Sequence, residues 1–403
     1  MKKFDALRRI DAISRSQNFT NQAKPRWQHG IKHLQSFEVE RFVSDAFHIF
    51  EDDNVTPIKT YKNGFSNWGK TVSFRPAVIF QPTTVGGVQN IVNWARSQGK
   101  RVRVIGYHHS WTNLFGEDGT VLITLFSLDV AIDLPAQHPH YDPKIYFEAI
   151  NCNERFENGE WYGFVKVGAG VTNYQFVEWT TEEDKKNHFS YYFPMNVVMT
   201  EINIAGSNAP MCHGSGINNP TLSDLVEEIE FIDANGGRQS INRVTHPEQM
   251  RAAAGCFGLL GVVISLTFKL KRMQYTSMNP AKVPVAETIP PPLGYKLPPG
   301  MRSPHNADQL WKKFIHTAST ASYSEWFWFA SHDDCWVNCW TSHPERPKDV
   351  EYYPSRFDSW LQEKEVELGN VIYNSNLMGA LPYRAVAEIF SKFIFLFDCF
   401  LFF

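Results

Sequence analysis

Three glycine-bearing turns, each directly after a β-like segment, constrain this chain more than any other feature. They are Ile105-Gly106-Tyr107-His108-His109-Ser110-Trp111, Val167-Gly168-Ala169-Gly170-Val171, and the stretch from Ile204 through Gly206 to Gly216. Glycine lets backbone approach a ligand closely and lets successive N–H groups point into one concavity. A diphosphate, with two negative charges, suits such a nest. None of the three turns matches G-x-G-x-x-G or G-x-x-x-x-G-K-[ST], which disfavours a Rossmann or P-loop reading. Gly168 and Gly170 alone decide nothing, because turns use glycine whether or not a ligand is near.

The segments around these turns alternate between strand and helix patterns. Ala77–Phe80 is a strand closed by Gln81-Pro82-Thr83-Thr84. Val85, Val88, Ile91, Val92 and Ala95 then recur at helical spacing, and Gly99-Lys100 ends the helix. Arg101–Ile105 is the next strand, so the unit implies a crossover connection. A second block, 164–268, has a strand at Val165–Gly168 and a helix from Thr172, the expected N-cap. It continues with a strand over Leu225–Asp233, a hairpin turn at Asn235-Gly236-Gly237 and a half-buried strand over Gly261–Leu270. Residues 279–304 hold eight of the 23 prolines, which predicts a linker or long surface loop. Beyond it come a helix near Ala307–Ser319 and an aromatic β segment, Ser324–Ser331. The expected division is an N-terminal helical segment (1–55), a main domain (56–272), a Pro-rich linker (273–304) and a distal domain (305–403).

Composition narrows the function classes. Hydrophobic residues make up 43% and charged residues 20%, so a sizeable core forms and general disorder is excluded. Lys+Arg is 39 against Asp+Glu 42, a net charge of −3 with no basic field, so no nucleic-acid partner is expected. Cys335 and Cys339 form a C-x-x-x-C pair that nothing completes into a zinc site, and His332-Asp333-Asp334 on one turn cannot face one ion well. No metal is expected. Met1–Gly30 has no apolar run, so no signal peptide is read there, although Phe4, Leu7, Ile10 and Ile13 fit an amphipathic helix. The expected location is cytoplasmic or membrane-associated. The apolar run Phe393–Phe403, broken by Asp398, is too short to span a bilayer. Two readings of it stay open: the C-terminal part of the protein is missing, or the tail makes a peripheral membrane contact.

Several segments together resemble a known family. They are Asn67-Trp68-Gly69, PAVIFQPTTVGGVQNIVNWAR (76–96), RVRVIGYHHSW (101–111), VKVGAGVTNYQF (165–176), EINIAGSNAPMCHGSG (201–216), LSDLVEEIEFIDANG (222–236) and GLLGVVISLTFKL (258–270). Their order over about half the chain is similar to the FAD-binding module of the vanillyl-alcohol oxidase and para-cresol methylhydroxylase (PCMH) family. The sugar-lactone and alditol oxidase branch is the nearer likeness. The resemblance implies an α+β fold: a two-subdomain PCMH-type FAD-binding module followed by a partial α/β substrate (cap) domain.

The resemblance also implies roles for residues. Val104, Ile105, Gly106, Tyr107, His108, His109 and Ser110 would wrap the FAD diphosphate. Asn203, Gly206, Asn208, Met211, Ser215, Gly216, Ile217 and Asn218 would line its other side and the flavin ring, and Gly261 and Ile264 would touch the adenine end. In many relatives the His of a G-x-x-H-S turn carries the flavin covalently. Here that spacing makes His109 the attachment candidate, with His108 facing elsewhere; the alternative is a surface histidine bonded to its own loop. Relatives often have small residues and Thr before His-Gly-Ser-Gly, whereas this chain has Pro210-Met211-Cys212. Glu325 resembles a cap-strand Glu that binds substrate hydroxyls, the alternative being a solvent-facing strand residue. Relatives usually end in a His-Trp-x-Lys type motif that this chain lacks near its C-terminus.

The implied function is oxidation of an alcohol carbon of a polyol or sugar lactone by hydride transfer to flavin N5, with oxygen as acceptor and peroxide as product. Alternatives are a flavin dehydrogenase, a sterol-type alcohol oxidase, and a truncated, catalytically inactive FAD-binding relative.

Overall fold

The computed structural model describes residues 48–61, 64–67, 70–126, 142–195, 201–292, 294–295, 306–328 and 333–350. Near its start lie β1 (Lys59–Tyr61) and a small hairpin, β2 (Phe65–Ser66) with β3 (Ser73–Phe74). Then come β4 (Val78–Gln81), α1 (Val85–Ser97), β5 (Val102–Ile105) and β6 (Val121–Thr124). Strands β4, β6 and β5 are parallel, with Val78 and Val102 both aligned to Val121, and β1 adds antiparallel to β4. The expected crossover is therefore β4–α1–β5.

Helix α1 forms where its sequence dictates. The Thr84 hydroxyl accepts from Gly87 N at 3.0 Å, and Gly99 takes a left-handed φ of 61° that a side chain would strain. The stripe Val88, Ile91, Val92 and Ala95 is buried. Each such Val or Ile removed from water contributes about 1.5–3 kcal/mol.

A five-stranded antiparallel sheet follows, in the order β10-β9-β11-β8-β7. Its members are β7 (Ile150–Glu157), β8 (Glu160–Gly168), β9 (Val226–Ile232), β10 (Arg238–Asn242) and β11 (Val262–Lys271). Helix α2 (Asn173–Asn187) starts in a capping box of Thr172 and Gln175 and buries Phe176 against this sheet. Ile232, Val262 and Ile264 share one apolar cluster with Val88 and Ile91 of α1, and Gln89 Nε2 donates to Gly236 O at 2.8 Å. The first crossover is thereby packed onto the end of the second sheet. Two short helices, α3 (Ile204–Asn208) and α4 (Pro247–Ala253), precede β9 and β11.

A third sheet has the order β12-β14-β13, from β12 (Tyr275–Pro284), β13 (Tyr323–Trp328) and β14 (Asp334–His343). The short helix α5 (Val285–Thr288) follows β12. Helix α6 (Ala307–Thr320) covers one face of this sheet through Phe314, 5.5 Å from Trp326.

Three expectations differ from this arrangement. Residues 275–284, assigned to the Pro-rich linker 273–304, form a ten-residue strand paired with β14. Pro280 and Pro284 are tolerated because β12 is an edge strand, where a missing N–H breaks no second ladder. Residues 48–55, at the end of the helical segment 1–55, are not helical. Asp53 Oδ1 accepts from the Val55 and Thr56 amides, a local turn that competes with helix, and Ile49 enters the core of the first sheet. Third, Ile204 begins a short helix instead of a turn after a strand. The expected amphipathic helix at residues 4–13, His332 and the apolar tail 393–403 lie outside the described residues. Among the described residues no helix is long and apolar enough to cross a membrane, and no three His, Cys, Asp or Glu gather to hold a metal ion.

Candidate functional site

Parallel strands β5 and β6 end side by side, and the carboxyl ends of such strands are where open α/β sheets bind ligands. The histidine turn leaves β5 there. His108 sits at φ 61° with its ring 4.6 Å from Phe65 and 6.1 Å from Phe115, fully buried. Burial pushes its pKa down to about 3, against the opposing effect of a hydrogen bond that the ring donates to the Ser66 backbone. His109 is half-buried and lies nearly parallel to Tyr107 at 5.4 Å, and burial lowers it to about 4. Both imidazoles are therefore neutral near pH 7. Burial, and then the Glu201 carboxylate, pushes the Tyr107 phenol well above its ordinary value.

Asn203 forms the facing wall. Its Nδ2 donates to Gly170 O at 2.6 Å, which fixes the amide and leaves Oδ1 buried without a hydrogen-bond partner. A Cβ on Gly106 would fall 2.3 Å from that Oδ1, so the turn and Asn203 touch only because residue 106 is glycine. A Cβ on Gly168 would meet Phe147 backbone at 2.3 Å and one on Gly170 would meet Leu125 O at 2.2 Å. Those two glycines serve the junction of the two sheets.

Between these walls lies a cleft of about 320 Å³. Val104, Ile105, Gly106, Tyr107, His108, His109, Ser110, Asn203, Gly206, Asn208 and Gly261 all line it. The described lining residues include no Asp or Glu and one cationic side chain, Arg103. Arg103 spends its donors on carbonyls: Nε on Leu114 O at 2.9 Å, Nη2 on Phe257 O at 3.0 Å and Nη1 on Gly258 O at 3.4 Å. It braces two loops at the cleft, a role with no signal in a β-strand sequence pattern. Asn67 is also missed as a site residue, although its motif stands out: it is fully buried behind the turn.

The remaining site residues expected from the sequence are placed elsewhere. Met211 is exposed at φ 57°, against Gly255. The Ile264 side chain lies in the core, its carbonyl accepting from Ala169 N at 3.0 Å. Ile217 is 69% exposed. Ser215, Gly216 and Asn218 dock on the third-sheet region: Ser215 bonds the Glu325 carboxyl, a Cβ on Gly216 would meet Ser322 O at 2.4 Å, and Asn218 Nδ2 donates to Ser319 O at 3.4 Å. Glu325 is half-buried, and burial raises its pKa. The cleft and Glu325 are thus linked through one loop, with Cys212 at the cleft end and Ser215 at the Glu325 end.

A cleft without described carboxylates, bordered by the glycine-bearing 104–110 turn and by the buried Asn203 Oδ1 that lacks a donor, fits part of a dinucleotide such as FAD: turn amides for a diphosphate, Asn203 Oδ1 for a hydroxyl or ring N–H.

No family model matches the chain. It is 26% identical over 202 residues to a putative D-arabinono-1,4-lactone oxidase of Neurospora crassa, covering 50% of this chain and 31% of that protein. It is 21% identical over 205 residues to L-gulonolactone oxidase of Mus musculus, covering 51% and 40%. The matched region thus spans well under half the length of these curated relatives. Among solved structures, a solvent-stable cholesterol oxidase superposes with a TM-score of 0.54 at 17% identity, covering 82% of this chain and 58% of that one. Cholesterol oxidase from B. sterolicum gives 0.53 at 17% identity, covering 89% and 62%. At that identity the likeness is one of fold. Sequence and fold together relate this chain to the FAD-linked oxidases of the vanillyl-alcohol oxidase and PCMH family, with the sugar-lactone oxidases as its relatives over about half its length.

Proposed function

We propose that this chain is the cofactor-holding part of an FAD-dependent oxidoreductase that oxidises an alcohol carbon of a polyol or sugar lactone, with oxygen as acceptor. The observation that carries the reading is the cleft between the 104–110 turn and Asn203, which combines backbone-lined walls, no described carboxylate and an unpaired buried acceptor. The similarity to sugar-lactone oxidases supports it. Residues 104–110 and Asn203 hold the cofactor in this reading, from two subdomains built on the first and second sheets. FAD, held there, would supply the two-electron oxidant that the alcohol carbon requires.

The chain's own residues do the rest. His109 is the attachment residue for the cofactor in this reading, because it borders the cleft and burial keeps its imidazole neutral. His108, caged by Phe65 and Phe115, holds the turn in its left-handed bend. In this reading Glu325, half-buried and raised in pKa by burial, accepts a hydrogen bond from a substrate hydroxyl. The third sheet serves as the substrate cap. A second reading, a bulkier apolar alcohol of the sterol type, is favoured by the aromatic residues beside Glu325, namely Tyr323, Phe327, Trp336 and Trp340.

The test is purification and a substrate screen. The expected protein is yellow, keeps its colour through acid precipitation, loses that retention in His109→Ala, and forms peroxide with xylitol, sorbitol or an aldonolactone. A colourless protein that refuses FAD on reconstitution would overturn the reading.

A further inference from the structure

We infer that Tyr107 is the positioning residue for His109: its ring is a fixed platform that sets the plane in which the imidazole meets the cleft. This rests on the attachment role given to His109 above and supplies the residue that orients it.

The platform is rigid because it belongs to the core. Tyr107 is 2% exposed and shares an apolar cluster with Ile105, Leu122 and Phe126. A side chain packed among such neighbours cannot change rotamer without opening a gap in them. Burial, and then Glu201, keep the phenol protonated, so the ring stays neutral. His109 differs, being half-buried and part of the cleft lining. The two ring centroids lie 5.4 Å apart and the planes are 14° from parallel, an offset stack.

The local backbone produces this stack. His108, between the two, takes a left-handed φ of 61° and packs its own ring against Phe65 and Phe115. A non-glycine residue in that conformation persists only where its surroundings hold it. The aromatic cage does so, and the residues on either side of His108 meet each other.

The chemistry needs an oriented ring. The nucleophilic lone pair of a neutral imidazole lies in the ring plane, and the last torsion of a histidine is soft. Free rotation would sweep the lone pair away from a fixed electrophile. Carboxylates orient many reactive imidazoles through a ring N–H, but no carboxylate is among the described residues lining the cleft. A stacked aromatic face restricts the rotation without occupying the in-plane lone pair. In the attachment, a ring methyl of the flavin and the imidazole each give up one hydrogen, and a C–N bond joins them. Oxygen, the acceptor of the reading above, takes both hydrogens with their electrons and leaves as peroxide.

The test compares the full chain with Tyr107→Leu, which removes the aromatic face, and Tyr107→Phe, which keeps it. The first readout is the ratio of acid-stable to total bound flavin, which counts loaded protein only. It is expected to fall about tenfold or more in Tyr107→Leu and to recover in Tyr107→Phe. The second readout needs no flavin. The His109 ring-proton resonance, identified by its loss in His109→Gln, is expected upfield, under the aromatic ring current, in the native chain and in Tyr107→Phe. An unchanged ratio in Tyr107→Leu overturns the platform. So does a native His109 resonance with no upfield shift, a result that stands even where Tyr107→Leu does not fold. Native protein whose flavin is wholly released by acid overturns it too, and keeps the oxidase reading. A colourless chain with the upfield resonance keeps the platform and removes that reading.

Discussion

The Asn67 carboxamide donates to the Ser110 carbonyl at 3.0 Å, and this bond fastens the β2–β3 hairpin to the end of the histidine turn. The same Nδ2 reaches Thr71 Oγ1 at 2.9 Å, while Oδ1 accepts from Val72 N at 2.9 Å. Asn67 is fully buried, so none of these groups has water as a substitute. Asn67→Leu is expected to cost about 2–4 kcal/mol, because it leaves an amide and a carbonyl unpaired. Urea unfolding measures the loss, and fluorescence titration with FAD should show weaker binding as the turn loosens.

Gly106→Ala tests the contact between the two walls. The new methyl must displace Asn203 Oδ1, which lies 2.3 Å away, and with it the 2.6 Å bond to Gly170. The expected outcome is a folded protein, by circular dichroism, whose FAD content on purification falls at least tenfold. Unchanged flavin content would show that the walls can separate without harm.

Acid should destabilise the fold through His108. Its folded pKa of about 3 lies below the ordinary 6.5, so below pH 6.5 the unfolded chain binds a proton that the folded one refuses. The stabilisation is fully present above pH 6.5 and is lost as pH falls from there toward 3. For this fully buried group the loss at pH 5 is about 2 kcal/mol. Melting curves at pH 7 and pH 5 measure it, and His108→Phe should flatten the difference by that amount.

Glu51 is the anchor of α1. Its Oε1 accepts from Thr83 N at 2.7 Å and Thr83 Oγ1 at 3.0 Å, and its Oε2 from Thr84 N at 3.1 Å and Thr84 Oγ1 at 2.6 Å. The carboxylate also lies at the positive end of the helix dipole. Glu51→Ala is expected to cost about 2–4 kcal/mol in urea unfolding, and Glu51→Gln about half of that, since one oxygen still accepts. Equal stability of all three proteins would refute the anchor.

Much of the stretch 72–270 was legible because its signals are local. Thr84 and Thr172 cap helices through their own neighbours, the stripe Val88–Ile91–Val92–Ala95 needs only the helical period, and Asn235-Gly236-Gly237 specifies a turn by backbone freedom. Composition misled at β12, where prolines read as a linker although an edge strand tolerates them. The order of motifs pointed to the 104–110 turn and to Asn203, which the structure brings to one cleft, and equally to Met211, Ile217 and Ile264, whose side chains it keeps out.

By itself, then, the sequence determined the β4–α1–β5 unit, the Thr172 cap of α2, the hairpin turn at 235–237 and the turn that carries His108 and His109. Tertiary structure alone decided that both histidines border the cleft, His108 caged and His109 half-buried, that Arg103 serves three carbonyls, and that Glu325 faces Asn338. The reason is physical. A cap or a turn is satisfied within a few residues, whereas desolvation, strand register and the partner of a buried amide depend on chain segments tens to hundreds of residues away.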